Sequence, residues 1–240
     1  MPSRTRIEVA QDPEDLARRA ARWLVDIAAG SQGRCAISLS GGSTPRRLYQ
    51  LLAEPPYRDT MPWDRIHWFW GDERFVPPDH PDSNYRMVRE ALLSRAPVPA
   101  TNISPIATGG DPAAAARDYE RTLKRFYGAE TLDPARPLFE IQLLGLGPDG
   151  HTASLFPGTK VLDERQRWAV EVIGAKAEDR ITLTYPVLES SHHTAFLVAG
   201  ADKRDALSRV QAGDRDLPAA RLAPHGEIVW FVDKEACPAR

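Results

Sequence analysis

Asp149 and His151 stand two residues apart in Gly145-Leu146-Gly147-Pro148-Asp149-Gly150-His151. An imidazole titrates near ~6.5 when unperturbed, so at neutral pH it is mostly a free base able to take a proton from water. A nearby carboxylate orients the ring and stabilises its charged form. The same stretch formally matches the Gly-x-Gly-x-x-Gly dinucleotide fingerprint. Three residues count against that reading. Pro148 supplies no N–H and Asp149 adds a negative charge where a pyrophosphate needs close backbone donors, and Pro157 breaks the chain soon after. A turn built to present Asp149 and His151 fits better, with a merely structural histidine as the alternative.

Ser40-Gly41-Gly42-Ser43-Thr44-Pro45 opens a helix. Free N–H groups and the positive dipole end favour an anion there, Gly41 and Gly42 let it approach the backbone, and Ser43 and Thr44 add hydroxyl donors. The loop reads as a phosphate cradle or as a plain turn with a capped helix. It lacks the Walker lysine and the second glycine of a nucleophile elbow. Gly71-Asp72-Glu73-Arg74 is either a solvated charged turn or a means of presenting Asp72 and the planar fork of Arg74 to a carboxylate, phosphate or oxyanion. Arg180 and Lys203 lie near element ends, and each taken alone reads as a surface cation. Lysine is scarce, with only Lys124, Lys160, Lys176, Lys203 and Lys234, so a lysine beside a suggestive motif carries more weight than an arginine there.

The other histidines offer less. His192 and His193 would face opposite sides of an extended segment, and His67, His80 and His225 have no ligand-spaced companions. No His-Glu-x-x-His or Cys-x-x-Cys occurs, so no metal site is expected. Trp63, Trp68 and Trp70 read as core. Cys35 and Cys237, the only cysteines, give no disulfide framework.

The elements that must position these loops follow from periodicity. Asp12-Pro13 caps a helix with apolar residues from Leu16 to Ile27, and Asp111-Pro112 caps another that runs to Tyr127. Ser83 to Leu93 and Asp202 to Val210 also read as helices. Strands are expected at Cys35 to Leu39, Ile66 to Trp70, Phe139 to Leu144, Trp168 to Val172, Ile181 to Thr184, Thr194 to Val198 and Glu227 to Val232. Strands alternating with helices imply an α/β fold, a mostly parallel, Rossmann-like open sheet with helices on both faces, built as one domain over residues 1–240. In such sheets ligands bind beyond the carboxyl ends of the strands. The three suggestive loops follow three such ends.

Composition narrows the partners. The 240 residues include 31 Lys and Arg against 33 Asp and Glu, a net charge of −2. No bulk field recruits nucleic acid or membrane. No apolar run reaches the ~18 residues of a membrane span, and the first fifteen residues carry six charged side chains instead of a signal-peptide core. The expected location is the cytoplasm.

The chain resembles the 6-phosphogluconolactonase family within the wider glucosamine-6-phosphate isomerase group. The resemblance is carried by Leu39 to Pro45, by Trp70 to Pro77 with Ser83-Asn84-Tyr85, by Leu144 to Pro157, by Arg180 to Thr184, and by Gly200 with Lys203, in the family's order. It implies hydrolysis of 6-phosphoglucono-1,5-lactone to 6-phosphogluconate in the oxidative pentose phosphate pathway, with neither metal nor organic cofactor. His151 matches the family's general base. Gly41, Gly42, Ser43, Thr44, Asp72, Arg180 and Lys203 match substrate or phosphate positions, and Arg74 matches an arginine near the lactone or product carboxylate. Asp149 would orient His151. Two other readings compete. Glucosamine-6-phosphate deaminases share the phosphate loop, Asp72 and Asp149-Gly150-His151 but carry a glutamate five residues after the histidine, where this chain has Phe156. A sugar-phosphate sensor would keep the loop, but regulators of that kind append a DNA-binding module for which the residues before Asp12 leave no room.

Overall fold

The computed structural model describes residues 5–238. In chain order the strands and α-helices are β1 Thr5–Ala10, α1 Pro13–Gly30, β2 Cys35–Leu39, α2 Ser43–Leu52, α3 Tyr57–Thr60, β3 Ile66–Trp70, β4 Asp72–Arg74, α4 Asn84–Val88, α5 Pro112–Tyr127, β5 Phe139–Gly145, β6 Ala169–Val172, β7 Arg180–Leu183, α6 Tyr185–Leu188, β8 Ser191–Val198, α7 Arg204–Gln211, α8 Pro218–Arg221 and β9 Glu227–Asp233. The capped starts form as the sequence predicts. Asp12 accepts from the Asp15 N–H and Asp111 from the Ala114 N–H, each at 2.8 Å, and Pro13 and Pro112 occupy positions where a missing N–H costs nothing. Gly128, with φ 80°, ends α5 in the left-handed conformation that glycine adopts without strain.

Six strands form a wholly parallel sheet in the order β1-β9-β8-β5-β2-β3. Helices cover both faces. From α1, Trp23 packs edge-on against Phe231 at 5.6 Å, and from α5, Phe126 packs against Phe69 at 4.9 Å. The register carries Phe231 across to the face of Trp68, and Phe69, the next residue, points the other way. Trp68, Phe69 and Trp70 are fully buried, each worth roughly 1.5–3 kcal/mol of apolar burial or more. The expected tryptophan core is present. No helix among the described residues is long and apolar enough to cross a membrane.

Three features depart from the sequence expectation. β1 was not anticipated, because its Arg6 and Glu8 alternate with Ile7 and Val9 on an edge strand where those apolar residues remain 46% and 42% exposed. The segments expected as parallel strands at 168–172 and 181–184 instead form β6 and β7 of a separate antiparallel sheet, ordered β4-β7-β6. Its third member is β4, so Asp72 to Arg74 is a paired strand and not a charged turn. Strands of three or four residues carry no signal for which partner they will choose. The helix expected over 83–93 divides into α4 and a π-helical turn, Arg89–Leu93.

Candidate active site

The carboxyl ends of β2, β3, β5 and β8 lie at one end of the parallel sheet, and two buried tyrosines fix the first two of them. Tyr49 on α2 accepts from the Ser40 N–H and donates to the Ser40 carbonyl, while Tyr119 on α5 does the same for Trp70, all at 2.8–3.0 Å. Beyond these ends opens a cleft of ≈ 390 Å³. Gly41, Gly42, Ser43, Thr44, Asp72, Arg74, His151, Arg180 and Lys203 all line it. Asp149, the remaining residue singled out in the sequence, sits behind His151.

The turn after β5 places an imidazole on the cleft wall. His151 Nδ1–H donates to Asp149 Oδ1, and the His151 backbone N–H donates to the same oxygen at 3.2 Å. With Nδ1 committed as a donor, Nε2 is left as the acceptor. Burial opposes a charge on Asp149, but the hydrogen bond and positive charge of His151, its N–H and Lys176 hold the carboxyl down at about 2. The glycines of the apparent dinucleotide fingerprint serve this ring. A Cβ on Gly147 would lie 2.0 Å from His151 Nδ1, and Gly150 takes φ +76° with Leu217 packed where a Cβ would go. The space a pyrophosphate would need holds the histidine.

On the opposite side, Gly42 caps α2 with φ 111° and no side-chain hydrogen bond, leaving the first N–H groups of the helix free. A Cβ on Gly41 would strike Asn84 Oδ1 at 1.9 Å, so the loop is packed closely on α4. Lys203 closes this side from the single 3₁₀ turn that follows β8, its Nζ 2.8 Å from Asp202.

β4 and β7 bring two arginines together. Arg74 and Arg180 are direct partners in their antiparallel register, an arrangement of like charges that is unfavourable without an anion. Arg74 Nη1 donates to the Asp82 carbonyl at 2.7 Å, while its buried Nε has no partner among the described residues. Arg180 is held by Glu178, and burial, then the charge of Arg74, lowers its pKa. The pair sets two guanidinium groups side by side on one wall of the cleft.

Four further residues of this region escaped the sequence-level assignment of roles. Glu73 is buried, and its carboxylate accepts from the backbone N–H groups of Arg74, Asn84 and Tyr85 at 2.7–2.8 Å and from Ser83 Oγ at 3.2 Å. It thereby ties β4 to the start of α4. Burial pushes its pKa up to about 7 against those donors. Asn84 donates to the Asp72 carbonyl at 3.0 Å, and Ser154 Oγ donates to Asp72 Oδ2 at 2.6 Å. Lys176 lines the cleft and reaches Asp149 Oδ2 at 3.3 Å, although the scarcity of lysine had pointed only to Lys203. A motif search misses it because it lies in a loop with no glycine-rich signature of its own.

A parallel α/β sheet with a cation-walled cleft and an Asp–His pair at its strand ends defines a protein that acts on small anions. The chain belongs to the family of glucosamine-6-phosphate isomerases and 6-phosphogluconolactonases, whose sequence profile matches residues 11–230. It is 42% identical over 238 residues to a 6-phosphogluconolactonase of Nostoc sp., covering 96% of both chains, and 43% identical over 213 residues to one of Synechocystis sp., covering 87% of this chain and 86% of that one. Among solved structures it is similar to 6-phosphogluconolactonase from Thermotoga maritima, with TM-score 0.83 and 29% identity, covering 96% of this chain and 100% of that one.

Proposed function

We propose that this chain, acting as one domain over residues 1–240, hydrolyses 6-phospho-D-glucono-1,5-lactone to 6-phospho-D-gluconate with His151 as general base. The observation that carries the assignment of roles is the Asp149–His151 pair on the wall of a cleft whose other walls are Arg74, Arg180, Lys203 and the open end of α2. His151 Nε2 takes a proton from a water as its oxygen attacks the lactone carbonyl. The C–O π electrons move onto the carbonyl oxygen, and Arg74 is placed to meet that charge. As the carbonyl re-forms, the bond to the ring oxygen breaks and the imidazolium returns its proton to that oxygen. The acid released then ionises to the carboxylate. Asp149 stays ionised throughout, fixing the ring and stabilising its charged form.

Proton and electron accounts close on these residues alone. The remote phosphate, held by the N–H groups of Ser43 and Thr44 with Lys203 and Arg180, supplies binding energy that positions the reacting carbon. A cytoplasmic setting belongs to the same proposal. Against deamination of an amino sugar phosphate stands Phe156, whose ring lies 4.8 Å from that of His151 where a second carboxylate would be needed.

The test is a coupled lactonase assay on freshly generated substrate. Turnover above the spontaneous rate that falls about 10²- to 10⁴-fold in His151→Ala supports the reading. Undiminished turnover in that variant removes His151 from the base role, and ammonia release from glucosamine 6-phosphate would reassign the reaction.

A further inference from the structure

The segment between β6 and β7, residues 173–179, is closed at its base by the Gly174 N–H donating to Asp179 Oδ1 at 3.1 Å. From it Lys176 extends into the cleft. We infer that Lys176 is a positioning residue of the hydrolytic site, holding the His151 ring through two of the groups that contact it, Asp149 and Phe156. The inference rests on the lactonase reading given above.

The geometry is a closed circuit. His151 uses Oδ1 of Asp149, and Lys176 Nζ donates to the other oxygen, Oδ2, at 3.3 Å. The same ammonium stands 4.9 Å above the centre of the Phe156 ring, inside the range in which a cation is attracted to an aromatic face. Phe156 is buried and packs its ring 4.8 Å from the imidazole with the planes inclined at 51°. One cation therefore contacts both the hydrogen-bonding partner and the packing partner of the same histidine. Without it, Oδ2 would be uncommitted, and a carboxylate turns readily about its broad terminal torsion. With both oxygens engaged, Asp149 presents a fixed acceptor to Nδ1, and Nε2 keeps the lone pair directed at water. Oriented outer partners of this kind act by fixing tautomer and ring direction.

A charge is required at this position, not merely bulk. Methionine would retain the stem over Phe156 and lose both electrostatic contacts, whereas arginine would retain the charge. Lys176 is 42% exposed, so neither substitution disturbs the core. In Lys176→Met, kcat should fall roughly 10- to 100-fold, the scale reported for outer partners of metal-bound imidazoles, with KM within about twofold of the parent. Lys176→Arg should recover most of the loss. In protein labelled with ¹⁵N-histidine and held above the imidazole titration range, the parent should show His151 as one tautomer protonated on Nδ1. Lys176→Met should show its nitrogen shifts averaged between tautomers. A kcat retained by Lys176→Met overturns the inference, as does a raised KM at constant kcat, which would make Lys176 a substrate contact. If the parent protein fails to hydrolyse the lactone, the functional reading falls by itself. The ¹⁵N comparison then decides the Lys176 assignment, and unmoved His151 signals overturn it.

Discussion

A Cβ on Gly147 would lie 2.0 Å from Nδ1 of His151 and 2.7 Å from Oδ1 of Asp149, so the ring occupies the volume that glycine leaves vacant. Gly147→Ala should therefore expel the imidazole while leaving the fold intact, because the obstructed atoms are side-chain ends. Its kcat should drop toward that of His151→Ala, a loss of about 10²- to 10⁴-fold, with little change in melting temperature. Gly150→Ala should show a different pattern, since φ +76° and contact with Leu217 strain the backbone and core. There the melting temperature should fall as well. Equal melting losses in the two variants would contradict the distinction.

The same glycines show what a sequence can and cannot disclose. Spacing located the turn, and Pro148 and Asp149 were enough to reject a dinucleotide site, but the use of Gly147 depends on a contact with a side chain that folds back over it. The parallel sheet was legible because strand-length segments rich in apolar residues, such as Cys35 to Leu39 and Phe139 to Leu144, follow the capped helices α1 and α5. The small antiparallel sheet was not. Strands of three or four residues such as Asp72 to Arg74 have no period to read, and their pairing is decided by tertiary contact. Hence the sequence indicated Arg74 and Arg180 separately, and only the register of β4 with β7 set them side by side. Glu73 escaped a role because a buried carboxylate that caps a distant helix resembles any other acidic residue in a charged loop.

If the proposed function holds, Arg74 and Arg180 make stability depend on an anion. Arg180→Met removes one of two like charges placed directly opposite, a contact that disfavours the free protein. It also removes the ion pair with Glu178, so each protein is compared with its own melting temperature in buffer without phosphate. Adding inorganic phosphate should raise the melting temperature of the parent by mass action and that of the variant much less. KM for the phosphorylated lactone should rise in the variant. A phosphate response equal in both proteins would exclude Arg180 from the anion site.

Asp149 should govern behaviour in acid. Its carboxyl is held at about 2, below the ordinary 3.8, by His151 and Lys176 against the effect of burial. A depressed folded-state value stabilises the protein above pH ~4 and ceases to do so as the pH falls through about 2. Asp149→Asn should thus melt below the parent near neutrality, and the gap should close between pH ~4 and ~2. The variant should also lose kcat, by up to ~10⁴-fold if the wrong tautomer dominates. A gap that stays constant down to pH ~2 would show that the charge of Asp149 contributes nothing to the fold.

Glu73 should act with the opposite sign. Burial raises its carboxyl to about 7 from the ordinary 4.5, although three backbone N–H groups favour ionisation. The folded state then holds a proton between pH ~4.5 and ~7 that the unfolded state has released, so stability declines across that interval by on the order of 3 kcal/mol and levels off above it. Glu73→Gln removes the titration and should flatten the decline. It should also be less stable than the parent above pH ~7, where the ionised Glu73 accepts from N–H and O–H donors that one amide nitrogen of glutamine must face instead. The displaced start of α4 carries Asn84 and, through it, Gly41, so KM should rise as the loop from Ser40 to Pro45 loses its fixed shape. Denaturant unfolding of both proteins from pH 5 to pH 8 reads the slopes directly. Parallel slopes would place the Glu73 carboxyl at its ordinary value, leaving its role in the fold to the hydrogen bonds alone.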